Sequence, residues 1–264
     1  MPGNILTFVF VCKRHSLQGY SRRSGLPPPH SGCRARTNTG KLHATPLPAT
    51  ENNMARKTKE DAEITRQQIL DSAERVFAAK GVAHTTLADI ASDAGVSRGA
   101  VYWHFTGKTD VLNAMLERQH EANKVFCAPT QDSAEPDPLG QMRRVLIHFL
   151  HRVVHDPGQR RVCEILHHGC ELAGELSGVR RRLQDTAAEI DRDIQTALGL
   201  AIQRGQLPAD LHLPRAAIAV HAYIDGLIAQ WLLRPDSHPL DREAEALVDA
   251  LLDLLRSPAL REPR

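Results

Sequence analysis

From about residue 63 to the C-terminus, apolar residues recur every three or four positions, interrupted by Gly, Pro and short polar runs. That period belongs to helices with one buried face, and the alternating Val/Ile/Thr runs of strands are nearly absent. Ile69, Ala73, Val76 and Phe77 predict a first helix over about 63–80, with Gly81 as its C-cap. Leu87, Ile90 and Ala91 form the apolar face of a short second helix, and Gly95 follows where the chain turns. A third helix covers Arg98–Phe105. Val111, Leu112, Met115 and Leu116 mark a fourth over about 109–126, after which Pro129–Pro138 reads as a loop. Five more helices are expected, over about 139–155, 159–173, 177–204, 213–233 and 241–256. The last carries Ala244, Leu247, Val248, Leu251, Leu252, Leu254 and Leu255, a face too apolar for a lone surface helix. Such a face suits a four-helix interface shared by two copies of the chain, formed by the last two helices; an intramolecular core is the alternative.

The fold class this implies is all-α, a three-helix head joined to a larger helical domain. The 264 residues suffice for two modest domains. We place a head at 54–112, its reading surface at about 60–107, and a second domain at 113–264. Residues 1–53 differ from both. They hold Pro27-Pro28-Pro29, scattered Gly, Ser and Arg, and no helical period. Ile5–Val11 is apolar but short, with no basic stretch before it and no small-residue cleavage site after it. We read 1–53 as a disordered extension upstream of the true start at Met54, with a genuine basic arm as the rival. No apolar run approaches the ~20 residues of a membrane span, so no membrane partner is expected.

Charge contributes little to the functional reading at the scale of the whole chain. Of 33 Lys and Arg and 31 Asp and Glu, residues 1–53 hold seven and one, which leaves 54–264 with 26 and 30. Any affinity for nucleic acid must therefore come from local placement. The short basic run Arg56-Lys57-Thr58-Lys59, at the start of the head, is the clearest basic cluster near its reading surface.

The chemistry concentrates in Leu87–Lys108. Two short helices separated by a Gly turn make a helix-turn-helix, with Val96 between them and Ser97 at the N-cap of the second. Thr86 stands where it can cap the first; Thr85 or Thr86 could instead meet a phosphate. Arg98, Gly99 and Ala100 open the second helix. The two small residues permit close approach to DNA, and the Arg98 guanidinium can bond guanine O6 and N7 bidentately. Tyr102, His104 and Lys108 can reach phosphates around it, with Tyr102 a second candidate for base contact.

The run Gly95-Val96-Ser97-Arg98-Gly99-Ala100-Val101-Tyr102-Trp103-His104-Phe105, followed by Lys108, resembles the TetR family of bacterial transcriptional repressors. Glu164–Glu171, Arg204–Pro208, Ala222–Leu227, Trp231–Leu233 and Ser257–Arg261 resemble its AcrR/TtgR-like regulators of multidrug efflux pumps. The resemblance covers essentially all of 54–264. It implies a cytoplasmic homodimer that binds palindromic, double-stranded operator DNA and is released by a small hydrophobic or aromatic effector. An unrelated metabolic or stress operon is the alternative target. On the family pattern, Thr86, Ser97, Arg98, Gly99, Ala100, Tyr102, His104 and Lys108 form the DNA surface. The effector walls would include Leu116, His120, Asn123, Val145, Phe149 and Cys163. Leu166, His167, Ile194, Ile224, Asp225 and Ile228 would complete them. His167 and Asp225 would hydrogen-bond polar groups of the effector. His120 replaces an acidic residue of related patterns, which favours neutral or phenolic effectors, and Cys163 stands where related patterns have a polar amide.

Other chemistry is thin. Cys127, Cys163 and Cys170 in the folded part, with Cys12 and Cys33 outside it, read as reduced thiols. His148, His151, His155, His167 and His168 are close in sequence, and His151 and His155 have the spacing of metal ligands. No third ligand stands in register, and no HExxH, GxSxG, Walker or GxGxxG signature is present. No cofactor, metal or enzymatic activity is expected.

Overall fold

A computed structural model describes residues 51–168 and 176–262. The chain divides into two units, Arg14–Glu63 and the remainder. Among the described residues the first holds the opening turns of the first helix, and the packing described below lies within Ile64–Arg264. The described residues form nine α-helices: α1 (Glu51–Lys80), α2 (Leu87–Ala94), α3 (Arg98–His104), α4 (Lys108–Cys127), α5 (Pro138–His155), α6 (Pro157–His168), α7 (Ser177–Gln203), α8 (Leu213–Leu233) and α9 (Leu240–Leu254). Residues 1–50, and with them Cys12, Cys33, the triple proline and Ile5–Val11, lie outside the described residues. So do Cys170 and the end expected for the sixth helix.

Two boundaries differ from the sequence reading. α1 begins at Glu51, well before the apolar stripe starts. Its first turns are rich in Ala, Arg, Lys and Glu, residues that favour helix without burial. The expected loop Pro129–Pro138 is shorter than predicted. Ala128–Gln131 form a 3-10 turn, and Pro138 is already the first residue of α5. Asp137 starts that helix by accepting the Gly140 N–H at 2.9 Å, and Pro at the first helical position loses no bond there.

Burial supplies most of the stabilisation, at roughly 1.5–3 kcal/mol per large apolar side chain. One cluster gathers Ile69, Leu70 and Phe77 of α1, Ile90 of α2, Val101 of α3, and Val111, Leu112 and Met115 of α4. It continues into Val162 and Ile165 of α6 and Val179 and Leu183 of α7. A second cluster joins α5, α7, α8 and α9 through Leu150, Leu198, Ile224, Ile228 and Leu251, among others. Arg143 of α5 pairs with Glu245 and Asp249 on the rim of α9. The chain's end is pinned by a bridge between Leu211 and Arg261.

α8 corrects one expectation. It is 21 residues long and, by length and composition, apolar enough to cross a membrane. Here its Ala217, Val220, Ile224, Ile228 and Trp231 are buried in the second cluster. Most of the apolar face of α9 is likewise used inside the chain. Ala244, Val248, Leu251, Leu252 and Leu255 are buried, Leu247 is half-buried, and Leu254 is exposed.

Candidate DNA-reading head and effector cavity

Local hydrogen bonds fix the geometry of the head. The Thr86 hydroxyl accepts the Asp89 N–H at 3.1 Å, and the Thr86 N–H and hydroxyl both donate to Asp89 Oδ2. This reciprocal cap ties down the start of α2. Hydrogen bonds from Lys80 and Thr86 hold the Asp89 carboxyl below the usual carboxylate range. α2 ends at Gly95, whose φ of 67° is left-handed and whose N–H bonds back to Ala91 and Ser92. A side chain there would be strained, so the turn into α3 depends on this glycine. Ser97 Oγ then accepts the Ala100 N–H at 3.1 Å and caps α3.

These bonds sort the sequence-expected DNA residues. Arg98 and Gly99 are exposed, Ala100 is half-buried, and Arg98 has no ion-pair partner among the described residues. Tyr102 is also exposed. Thr86 already spends its hydroxyl proton on Asp89. Thr85 is buried, with its hydroxyl on the Gly81 carbonyl, so it is not a phosphate ligand. Lys108 Nζ donates to the Ala83 carbonyl at 3.0 Å, which draws its charge back towards the α1–α2 loop. His104 packs edge-on against Trp103, with ring centroids 4.5 Å apart. Trp103 was not singled out from sequence, yet it is 72% exposed beside Tyr102. A large apolar ring left in solvent on α3 marks a candidate contact surface, and its exposure could not be read from the sequence.

The second domain holds a cavity of about 30 Å³ within a partly open recess whose total empty space, solvent included, is about 470 Å³. Met142, Val145 and Leu146 of α5, Ile190, Ile194 and Ala197 of α7, and Val220 and Ile224 of α8 make its apolar wall. Thr130, Gln131, Asp193 and His221 stand around it as well. Of the twelve residues expected from sequence, Val145, Ile194 and Ile224 reach this cavity. The others have different surroundings. Leu116 and Leu166 pack with the head cluster, and Phe149, Cys163 and Ile228 with the second cluster. Asn123 is buried and accepts a bond from Arg152 at 2.6 Å. His120 lies with Glu117 and Glu121, whose ligand-type atoms are all within 4.8 Å of one another. Glu117 is also paired with Arg182, and the trio comes from one helix. His155 is directed to Asp241 at 3.3 Å rather than to a site shared with His151. Cys127 and Cys163 are buried free thiols, and burial pushes the Cys163 thiol up to about 12.

His167 and Asp225 come together between α6 and α8, with Nε2 and Oδ1 3.4 Å apart. Burial pushes the Asp225 carboxyl up to about 6, against the opposing pull of His221. The folded chain therefore binds this proton more tightly than an unfolded one with an ordinary pKa of 3.8. Stability is lost as pH rises from about 4 through about 6. Asp225→Asn is expected to raise stability at pH 7 by on the order of 1–3 kcal/mol, with the gain vanishing below pH 4. Urea unfolding at both pH values measures it; equal effects at the two would mean that the carboxyl is not perturbed.

Two family models match the chain. One, for bacterial regulatory proteins of the tetR family, matches residues 69–115. The other, the C-terminal region of MAATS-type transcriptional repressors, matches residues 137–257. The HTH-type transcriptional regulator TtgR of Pseudomonas putida is 47% identical over 210 residues, spanning 79% of this chain and all of that protein. Among solved structures, MexZ, a repressor responsible for antibiotic resistance in Pseudomonas aeruginosa, superposes with a TM-score of 0.66 at 36% identity, over 76% of this chain and 100% of MexZ. A complex of SmeT with triclosan gives a TM-score of 0.66 at 29% identity, over 76% and 99%. SmeT is the repressor of a Stenotrophomonas maltophilia multidrug efflux pump.

Proposed function

Because the chain belongs to the TetR family of bacterial regulatory proteins, we propose that it is an effector-released repressor of a multidrug efflux operon. The observation that carries this reading is the α3 surface. Arg98, Tyr102 and Trp103 are turned to solvent on a helix whose start and preceding turn are locked by caps. Arg98 reads bases, Tyr102 and Trp103 lie against the sugar-phosphate backbone, and Ser97 and His104 add phosphate contacts. TetR-family repressors bind operator DNA and act as dimers. For this chain the dimer forms through the outer faces of α8 and α9. Ile218, Ala222, Gly226 and Leu233 are exposed on α8, where the two small residues let a partner helix approach closely, and Ala250 and Leu254 are exposed on α9. Relatives are named as transcriptional regulators, and the chain is read as a cytoplasmic regulator rather than an enzyme.

The effector is a small, largely apolar molecule that occupies the α5–α7–α8 cavity. It releases DNA only by binding the state with misplaced heads more tightly than the DNA-competent state. The test is a mobility-shift titration with DNA from upstream of the protein's own gene, in competitor DNA at fixed salt. Specific binding is expected, with triclosan weakening it about tenfold or more, within the 5–150-fold span of typical allosteric coupling. Specific binding that triclosan and a panel of phenols and dyes leave unchanged would count against effector release. Absence of specific binding to any tested fragment would count against the repressor reading itself.

A further inference from the structure

A buried carboxylate joins the head to the second domain. Glu74 of α1 is 1% exposed. Arg118 of α4 donates to its Oε1 at 2.5 Å, and Arg161 of α6 approaches Oε2 at 3.4 Å. Gln119 of α4 also donates to Oε1, at 3.4 Å. Arg118 further grips Gln67 and Asp71, so three residues on one stripe of α1 are fastened to α4 by a single guanidinium. From Gln119 the network continues to α5. Arg152 donates to Gln119 Oε1 at 3.4 Å, to Asn123 at 2.6 Å and to Asp156 at 2.6 Å. α5 is the helix that supplies Met142, Val145 and Leu146 to the cavity wall.

The bond lengths divide this joint into two parts. Arg118 holds Glu74 at 2.5 Å and Arg152 holds Asn123 at 2.6 Å, while the contacts of Glu74 with Gln119 and Arg161, and of Gln119 with Arg152, are each 3.4 Å. A buried charge must remain paired, because an uncompensated one is strongly destabilising. When α5 or α6 shifts, Glu74 can keep Arg118 and lose its longer contacts. Transmission between sites requires an element with two arrangements, and loss of the longer contacts with Arg118 retained would supply the second.

We infer that Glu74 is the positioning residue of the reading head: it holds α1 against α4 and passes displacement of α5 and α6 to the recognition helices. Its use by an effector rests on the reading given under Proposed function.

Hydrogen exchange of the full chain, read by peptide, tests it. In Glu74→Gln, amides of α2 and α3 are expected to exchange about tenfold or more faster, while those of α7 and α8 keep their wild-type rates. Global destabilisation would accelerate both regions together, and weakening confined to the head would leave the triclosan response of α2–α3 intact in Gln119→Met. Gln119→Met removes the neutral link to Arg152 while leaving every charge in place; the same selective pattern is expected, at several-fold. It decides the matter alone if Glu74→Gln does not fold. Equal acceleration in the two regions, or none in either, overturns the inference. A triclosan arm separates the two proposals. With wild type, triclosan is expected to alter exchange at α5 and at α2–α3, and with Gln119→Met at α5 only. No effect of triclosan on wild type counts against the effector reading, while exchange in the unliganded variants still decides the role of Glu74.

Discussion

Alanine at Arg98 is expected to cost roughly 1–3 kcal/mol of specific binding at each half-site, about 5- to 150-fold. The guanidinium is exposed at the first turn of a capped helix and has no ion-pair partner among the described residues, so its removal leaves the fold intact. The loss should be sequence-selective, with weak binding to unrelated DNA nearly unchanged. Lys108→Ala should weaken binding much less, because the Lys108 ammonium already bonds the Ala83 carbonyl. Mobility shifts with operator and scrambled duplexes at matched salt measure both. An Arg98→Ala protein with wild-type operator affinity would mean that α3 is not the reading helix.

Introducing charge on the outer faces of α8 and α9 is expected to have a larger effect. Ile218→Glu with Leu254→Glu adds carboxylates to two exposed apolar positions without touching the buried stripes of either helix. Two copies would then repel, and burying the new charges would be strongly unfavourable. Sedimentation should show a folded monomer. Operator affinity should fall by about 10²–10⁴, the advantage that a linked second head gives through effective concentration. A variant that remains dimeric would place the interface elsewhere on the chain.

Helix periodicity located the elements well because burial, which the period reports, is what holds them. α8 matches its expected span at both ends, and α5, α7 and α9 shift by one or two residues. The start of α1 was misread because nothing apolar marks it. The helix-turn-helix was legible down to individual caps, since Thr86, Gly95 and Ser97 act through local backbone geometry. The cavity was much less legible. Its wall is chosen by how α5, α7 and α8 lean together, and residues such as Phe149 and Ile228 have the same composition whether they fill the core or face a void. Gln131 was hidden in a stretch read as loop. Glu74 was overlooked for a different reason. An acidic residue between apolar positions reads as a solvated helix edge, and only the convergence of Arg118 and Arg161 from distant sequence shows it to be enclosed.

The cavity also bears on what selection can do with this chain. Space lined by Leu146, Ile190 and Ile224 forfeits dispersion contacts that a filled core would keep, so on the proposed reading sensitivity to a small molecule would be held at the expense of heat resistance. The simplest stabilising mutations, such as enlarging Ala197, would plug the space and, if an effector binds there as proposed, leave a sturdier protein deaf to it. Lineages that face toxic compounds would keep the weaker fold. Those that no longer meet them would drift towards permanent silence of the genes under control.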